Sequence, residues 1–329
     1  MTTAGRWVWQ PDDVATRVDA GVWQIDLGFQ GRRGVVAAYL LAGDGELALI
    51  ETGPSSTLPA LLDGIRAAGF SPERLTHLLV THIHLDHAGA AGPLARDFPA
   101  TRVYVHPFGA QHMIDPAKLL ASATRIYGDQ MVPLWGEVAP IAADRVVSLT
   151  DGDELRVAGR RLRIVFTPGH ASHHVAYADA DAGAAFTGDV GGIRMPGTSY
   201  VAAPTPPPDF DPDAWRASAD RLRALDARRL YLTHFGAVDD ASAHLDRLIP
   251  DLDALILIAE QSLAAGEDQP TLTAKIHDHM SAGLGDVPPD LLTNLEWATP
   301  SYMAALGLTR YLTKVRRAGG QADRRTDAS

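Results

Sequence analysis

Three imidazoles and one carboxylate fall within six positions in the run His82-Ile83-His84-Leu85-Asp86-His87. Nitrogen and carboxylate-oxygen donors at that density suit a borderline divalent cation such as zinc. Packing alone gives no reason to gather three imidazoles beside a carboxylate. Three later stretches end on donors of the same kind: Thr167-Pro168-Gly169-His170, Phe186-Thr187-Gly188-Asp189 and Tyr231-Leu232-Thr233-His234.

Each of these stretches closes an apolar, β-prone run. The runs are Leu78-Leu79-Val80, Leu162 to Phe166, Ala184-Ala185-Phe186 and Leu230-Tyr231-Leu232. Short apolar runs of this kind read as buried strands. Donors at strand ends, on loops held by a rigid sheet, are where a catalytic site is expected. Behind the first motif, Ala88-Gly89-Ala90-Ala91-Gly92 reads as a tight turn opening a helix.

Other elements follow from pattern. Val22 to Leu27, Val35 to Leu41 and Leu47 to Ile50 read as strands, the last two joined at the hairpin signal Gly43-Asp44-Gly45. Ser55 or Ser56 is positioned to cap a helix through Ala68, with Leu58, Leu61, Leu62 and Ile65 on one face. Val146 to Leu149 and Leu155 to Val157 read as short strands around an Asp151-Gly152-Asp153 turn. Pro204 to Pro208 is a stiff loop that cannot be a central strand, and Asp213 to Leu225 is an amphipathic helix.

Residues 107–143 break the alternation of strand and helix. Ala117 to Ala123 and Met131 to Trp135 look helical between Pro107, Pro116, Pro133 and Pro140. The segment reads as an insertion, serving as a pocket wall or lid, or else as an oligomer contact or decoration. From 241 to 317 the chain reads as helices: Ala243 to Ala264, Thr271 to Ala282, Pro289 to Trp297 and Pro300 to Arg317. The polar stretch 318–329 reads as a disordered tail.

Bulk numbers narrow the function. The 329 residues are 46% hydrophobic, ample for a large core. There is no cysteine, so disulfides and thiolate ligands are excluded. A net charge of -11 argues against nucleic-acid binding, which needs a basic face. No run suits a transmembrane helix, and Met1 to Asp13 lacks the apolar core of a signal peptide. A cytoplasmic protein without membrane association is expected, as a monomer or a homodimer.

The His-x-His-x-Asp-His run, followed in order by the motifs ending on His170, Asp189 and His234, resembles the metallo-β-lactamase superfamily. The resemblance covers roughly residues 15 to 240, so residues 1–240 are expected to form the catalytic domain. It implies an αβ/βα sandwich: two mixed, mostly antiparallel sheets face to face, helices outside, and the metal site at one edge. It implies that His82, His84 and His170 hold one divalent ion, that Asp86, His87 and His234 hold a second, and that Asp189 bridges them. Asp86 and Asp189 are the candidate catalytic carboxylates. Zinc is the expected metal, with iron, manganese and cobalt also compatible. The lack of cysteine sets aside the β-lactamase subclasses that use a cysteine ligand.

The bridging aspartate and the Asp86-His87 pair resemble the glyoxalase II-like branch, which implies a dinuclear hydrolase of a small ester, thioester or lactone. Two other readings share the ligands. One is a mononuclear iron dioxygenase acting on a persulfide through His82, His170 and Asp189. The other is a phosphodiesterase. A non-catalytic metal-binding protein is a further reading, which the intact ligand set disfavours. The superfamily usually has Asp-Thr-Gly where this chain has Glu51-Thr52-Gly53. Glu51 and His174 are expected to support ligands from behind. Lactonases of the superfamily often carry a tyrosine three residues after the bridging aspartate; here that position is Gly192, with Tyr200 the nearest tyrosine downstream. Tyr200, Arg194 and His112 are candidate substrate contacts. His173 reads as a surface residue, and His77, His244, His277 and His279 as hydrogen-bonded packing histidines.

Overall fold

In Ala37-Ala38-Tyr39-Leu40-Leu41 alternate side chains leave a strand on opposite sides, and both sides are covered. Tyr39 and Leu41 pack among residues such as Tyr177, Phe186 and Tyr231 of a second sheet. Ala38 and Leu40 pack with Leu61 and Ile65 beneath helices. Burial on both faces is why such strands read as continuous apolar runs. The structure, a computed structural model, describes residues 13–326, with side chains described to residue 314.

The first sheet has seven strands in chain order. They are β1 (Ala15–Asp19), β2 (Val22–Asp26), β3 (Ala37–Gly43), β4 (Glu46–Ile50), β5 (Leu75–Leu79), β6 (Arg102–Val105) and β7 (Val146–Ser148). Pairing is antiparallel from β1 to β4 and parallel from β4 to β7, so this sheet is evenly mixed rather than mostly antiparallel. The second sheet has six strands: β8 (Glu154–Val157), β9 (Arg160–Phe166), β10 (Val175–Asp179), β11 (Ala184–Phe186), β12 (Arg229–Leu232) and β13 (Gly236–Val238). Only β11 and β12 pair in parallel there.

Helices coat the outer faces. They are α1 (Leu58–Ala67), α2 (Leu85–Ala88), α3 (Ala91–Asp97), α4 (Pro107–Ile114), α5 (Ala117–Tyr127), α6 (Met131–Trp135) and α7 (Pro212–Arg223). After β13 come α8 (Ala241–Ala264), α9 (Gln269–Leu284), α10 (Pro289–Ala298) and α11 (Ser301–Thr326).

The architecture is the expected sandwich, and the Asp151-Gly152-Asp153 turn lies between Val146–Ser148 and Glu154–Val157 as expected, carrying the chain from one sheet to the other. Two local details depart from expectation. Neither serine caps α1, whose N-cap is Thr57 without a side-chain bond. Ser55 and Ser56 instead donate to the carbonyls of Glu137 and Leu134, tying the insertion to the turn before α1. The last helix continues to Thr326, past the expected end at Arg317. Extending an existing helix avoids the cost of nucleation, so a polar continuation can stay helical. Residues 327–329, the end of the expected tail, lie outside the described residues.

Candidate metal centre

Direction along the sheets brings the donor stretches to one edge. Two antiparallel steps, β9 to β10 to β11, restore the direction of β9, and β12 runs parallel to β11. The loops after β9, β11 and β12 therefore leave the second sheet on one side. The two sheets are pinned together there. Val175 N donates to Thr81 O at 2.8 Å, Tyr177 Oη to Val80 O at 2.8 Å, Ala37 N to Thr233 O at 2.9 Å, and Tyr39 Oη to Leu232 O at 2.6 Å.

Local conformation aims the donors. The loop after β5 carries His82 and His84, and α2 then places Asp86 and His87 on its single turn. Asp189 lies in the turn 188–191 after β11. Gly188 has φ +49, and a Cβ there would press on Thr81 Oγ1 and His174 Nε2. A larger residue at 188 would displace the aspartate.

The donors form two clusters. His82 Nε2 lies 2.9 Å from His84 Nδ1, which lies 3.0 Å from His170 Nε2. Asp86 Oδ2 lies 3.8 Å from His87 Nε2 and 3.5 Å from His234 Nε2. Asp189 stands between them, with Oδ2 3.2 Å from His170 Nε2 and Oδ1 3.2 Å from His87 Nε2 and 3.6 Å from His234 Nε2. Within each of the triplets His82-His84-His170, His82-His87-Asp189 and Asp86-His87-His234, the donor atoms lie within 4.8 Å of one another.

This arrangement fits divalent cations. Buried His87 Nε2, His234 Nε2 and Asp189 Oδ1 have no hydrogen-bond partner, although they converge. Leaving a buried polar atom unpaired costs about 1–3 kcal/mol. A cation between the donors satisfies all three atoms at once. The far ring nitrogens are held so that the near ones present lone pairs: His170 Nδ1 lies 2.9 Å from Pro204 O, and His234 Nδ1 lies 2.7 Å from Val35 O. A carbonyl only accepts, so each Nδ1 carries the proton.

Glu51 performs the same task for His87. Its Oε1 is 2.9 Å from His87 Nδ1 and also accepts from Thr81 Oγ1 at 2.5 Å and Thr233 Oγ1 at 3.2 Å, while Oε2 accepts from Thr81 N at 3.2 Å. The backbone at Glu51 is left-handed, φ +66. His174 Nε2 accepts from Asp189 N at 3.2 Å, and its Nδ1 lies 2.8 Å from Thr167 Oγ1, so it holds the backbone under Asp189.

The two clusters differ electrostatically. Burial and neighbouring imidazoles push His82 well below the usual histidine range, and His84 down to about 4. Burial also opposes charge on His87 and His234, yet Asp189 and Asp86, with Glu51 at His87, outweigh it and raise both. Burial would raise Asp86, but His87 and His234 bring it down to about 2. Carboxylates therefore dominate the second cluster and imidazoles the first.

The centre opens into a cavity of about 430 Å3 whose floor includes His84, Asp86, His170 and Asp189. The insertion forms one wall through α5 and α6, the Pro204–Pro208 loop another, and residues 296–303 a third. Of the two readings of the insertion, its position matches the pocket wall.

The three candidate substrate contacts lie outside this lining. His112, on α4, faces a separate small crevice with Ile83, Met113, Leu119 and Val138. Arg194 is held by Asp240 at 2.7 Å and Thr198 O at 2.7 Å. Tyr200 donates to Asp251 at 2.8 Å. His173 corrects the surface reading: it is buried, stacked on Phe108 with ring centroids 5.9 Å apart. His77, His244, His277 and His279 each have the expected hydrogen bond, to Thr76, Gly191 O, Glu296 and Asp251.

The sequence reading missed Thr81 and Thr233 as partners of Glu51, and Trp215, whose ring stands edge-on behind His170 at 5.9 Å. Both threonines adjoin a donor histidine, a signal available from adjacency alone.

Residues 31–234 match the metallo-beta-lactamase superfamily, and the chain belongs to that superfamily. It is similar to a metallo-beta-lactamase fold-containing protein from Sulfurisphaera tokodaii, 28% identical over 208 residues, which cover 62% of this chain and 74% of that one. It is also similar to a hydroxyacylglutathione hydrolase from Rhodopseudomonas palustris, 28% identical over 265 residues, 78% of this chain and 84% of that one. A solved metallo-beta-lactamase family protein from Thermus thermophilus shares the fold with a TM-score of 0.62 at 24% identity, covering 91% of this chain and 94% of that one. Among the described residues no helix is long and apolar enough to cross a membrane.

Proposed function

We propose that this protein is a dinuclear metal-dependent hydrolase acting on a small acyl substrate, an ester, thioester or lactone. The observation that carries the reading is the pair of donor clusters spanned by one carboxylate, Asp189, at the floor of a cavity. His82, His84 and His170 would hold one ion and Asp86, His87 and His234 the other, with Asp189 shared. The donors suit zinc, and also iron or manganese. Bound ions of this kind supply an acidified water as nucleophile and polarise the scissile carbonyl. Asp189 and Asp86, the carboxylates on the cavity floor, would be the catalytic carboxylates beside those ions.

A mononuclear iron centre using His82, His170 and Asp189 would leave the Asp86-His87-His234 cluster idle. A phosphodiester would meet no cation of the protein in the cavity lining, which contains no lysine or arginine among the described residues. The hydroxyacylglutathione hydrolases among the relatives are consistent with thioester chemistry. The test is Asp189→Ala. It is expected to lower the metal content from about two ions per chain and abolish ester hydrolysis, with the circular dichroism spectrum unchanged. Full activity in that variant, or one iron per chain in the purified wild type, would overturn the dinuclear hydrolase reading.

A further inference from the structure

The cavity above the donor clusters is built differently from its floor. Four aromatic rings from three distant parts of the chain meet on one side. Phe29, in the turn after β2, stacks on Trp135 of α6 at 5.7 Å and meets Trp297 of α10 edge-on at 5.9 Å. Tyr127, ending α5, meets Trp135 edge-on at 5.0 Å. Leu119, Ala123 and Ile126 of α5 extend this surface, and Pro206 to Pro208 face it. Trp297 and Tyr302 remain 37% and 42% exposed, which places them toward the mouth.

Charge is confined to two places. Asp86 and Asp189 belong to the floor. Glu296 of α10 is engaged by the neighbouring helices, accepting from Ser301 N of α11 at 3.0 Å, from Ser301 Oγ, and from His277 Nδ1 of α9 at 2.9 Å. No lysine or arginine among the described residues lines the cavity, and its two histidines, His84 and His170, belong to the floor. Glutathione carries two carboxylates, and burying a carboxylate without a partner is strongly unfavourable. A volume of about 430 Å3 lies at the lower end of small-molecule pockets.

Building on the hydrolase reading, we propose that the site selects uncharged acyl groups with an apolar chain or ring, seated in the Phe29-Trp135-Trp297 cage, and discriminates against glutathione thioesters. The reacting carbonyl lies over the His84-Asp86-His170-Asp189 floor and the apolar tail against α5, α6 and α10. Trp135 and Trp297 then set specificity through contact area, because each buried methylene contributes about 0.8 kcal/mol, close to fourfold in the specificity constant.

The experiment measures kcat/KM of the metal-loaded full chain on p-nitrophenyl acetate, butyrate, hexanoate and octanoate, on lactoylglutathione, and on a choline ester. The expected result is a rise on the order of a hundredfold from butyrate to octanoate, with the glutathione and choline substrates far below octanoate. Trp135→Ala should flatten that rise. A flat series, or preference for the glutathione or choline substrate, overturns the proposal. If no substrate is turned over, the hydrolase reading fails separately, and calorimetric titration decides the cavity. Binding of octanamide without binding of S-methylglutathione keeps the apolar selectivity; the reverse, or binding of neither, overturns it.

Discussion

Replacing Glu51 by glutamine tests whether the donors are held in place from behind. The carboxylate accepts four hydrogen bonds, three at Oε1 from Thr81 Oγ1, His87 Nδ1 and Thr233 Oγ1, and one at Oε2 from Thr81 N. Every partner donates, so a glutamine NH2 must face at least one donor. The cheaper orientation keeps the oxygen at Oε1 and turns the NH2 toward Thr81 N–H. That orphans one buried donor, at about 1–3 kcal/mol, and removes charge assistance from the other three bonds. Relief of a buried charge offsets part of the loss. The net expectation is about 1–3 kcal/mol lower stability of the metal-free protein, read from urea unfolding with an unchanged slope. With a neutral partner His87 Nε2 becomes a weaker donor, and metal affinity should fall about 10–100-fold in chelator competition. Lower stability with unchanged affinity would make Glu51 a purely structural residue. No change in either would refute the reasoning.

Two further expectations come from residues away from the centre. His112→Ala should leave kcat and KM on the best ester within twofold of wild type, since the side chain lies outside the cavity lining; a shifted KM would place it at the substrate. His279 is raised above its usual value by its hydrogen bond to Asp251, which outweighs partial burial. A histidine raised on folding contributes stability that is full below about 6.5 and is lost as pH rises through the folded value. This contribution of His279 should therefore fade as pH rises above about 6.5, and His279→Gln should lose less stability than the wild type over that rise. Parallel losses in the two proteins would remove the pair as the cause.

The same Asp251 shows how the C-terminal helices reach the candidate metal centre. It accepts from Tyr200 Oη, Ala203 N and His279 Nε2, each at 2.8 Å. Ala203 precedes Pro204, whose carbonyl orients His170. Tyr200 thus serves the loop that holds a donor, even though it does not line the cavity.

By itself the sequence singled out the seven His and Asp residues that the fold gathers at one edge, and the strands they follow. Each donor lies within a few residues of an apolar run, and a strand end fixes the position of the next residue or two. The supports adjacent to a donor in the chain, Thr81 beside His82 and Thr233 beside His234, were equally within reach. Only the tertiary structure decided the rest. The hydrogen bond from Thr233 to Glu51 spans 182 residues, and that from His234 to Val35 O spans 199. The cage joins residues 29, 135 and 297. His173 looked exposed because nothing nearby in the chain covers it; Phe108, brought over by the insertion, does. Strand pattern is written in residues one or two apart, whereas a cavity wall is a meeting of side chains whose separation along the chain carries no period to read.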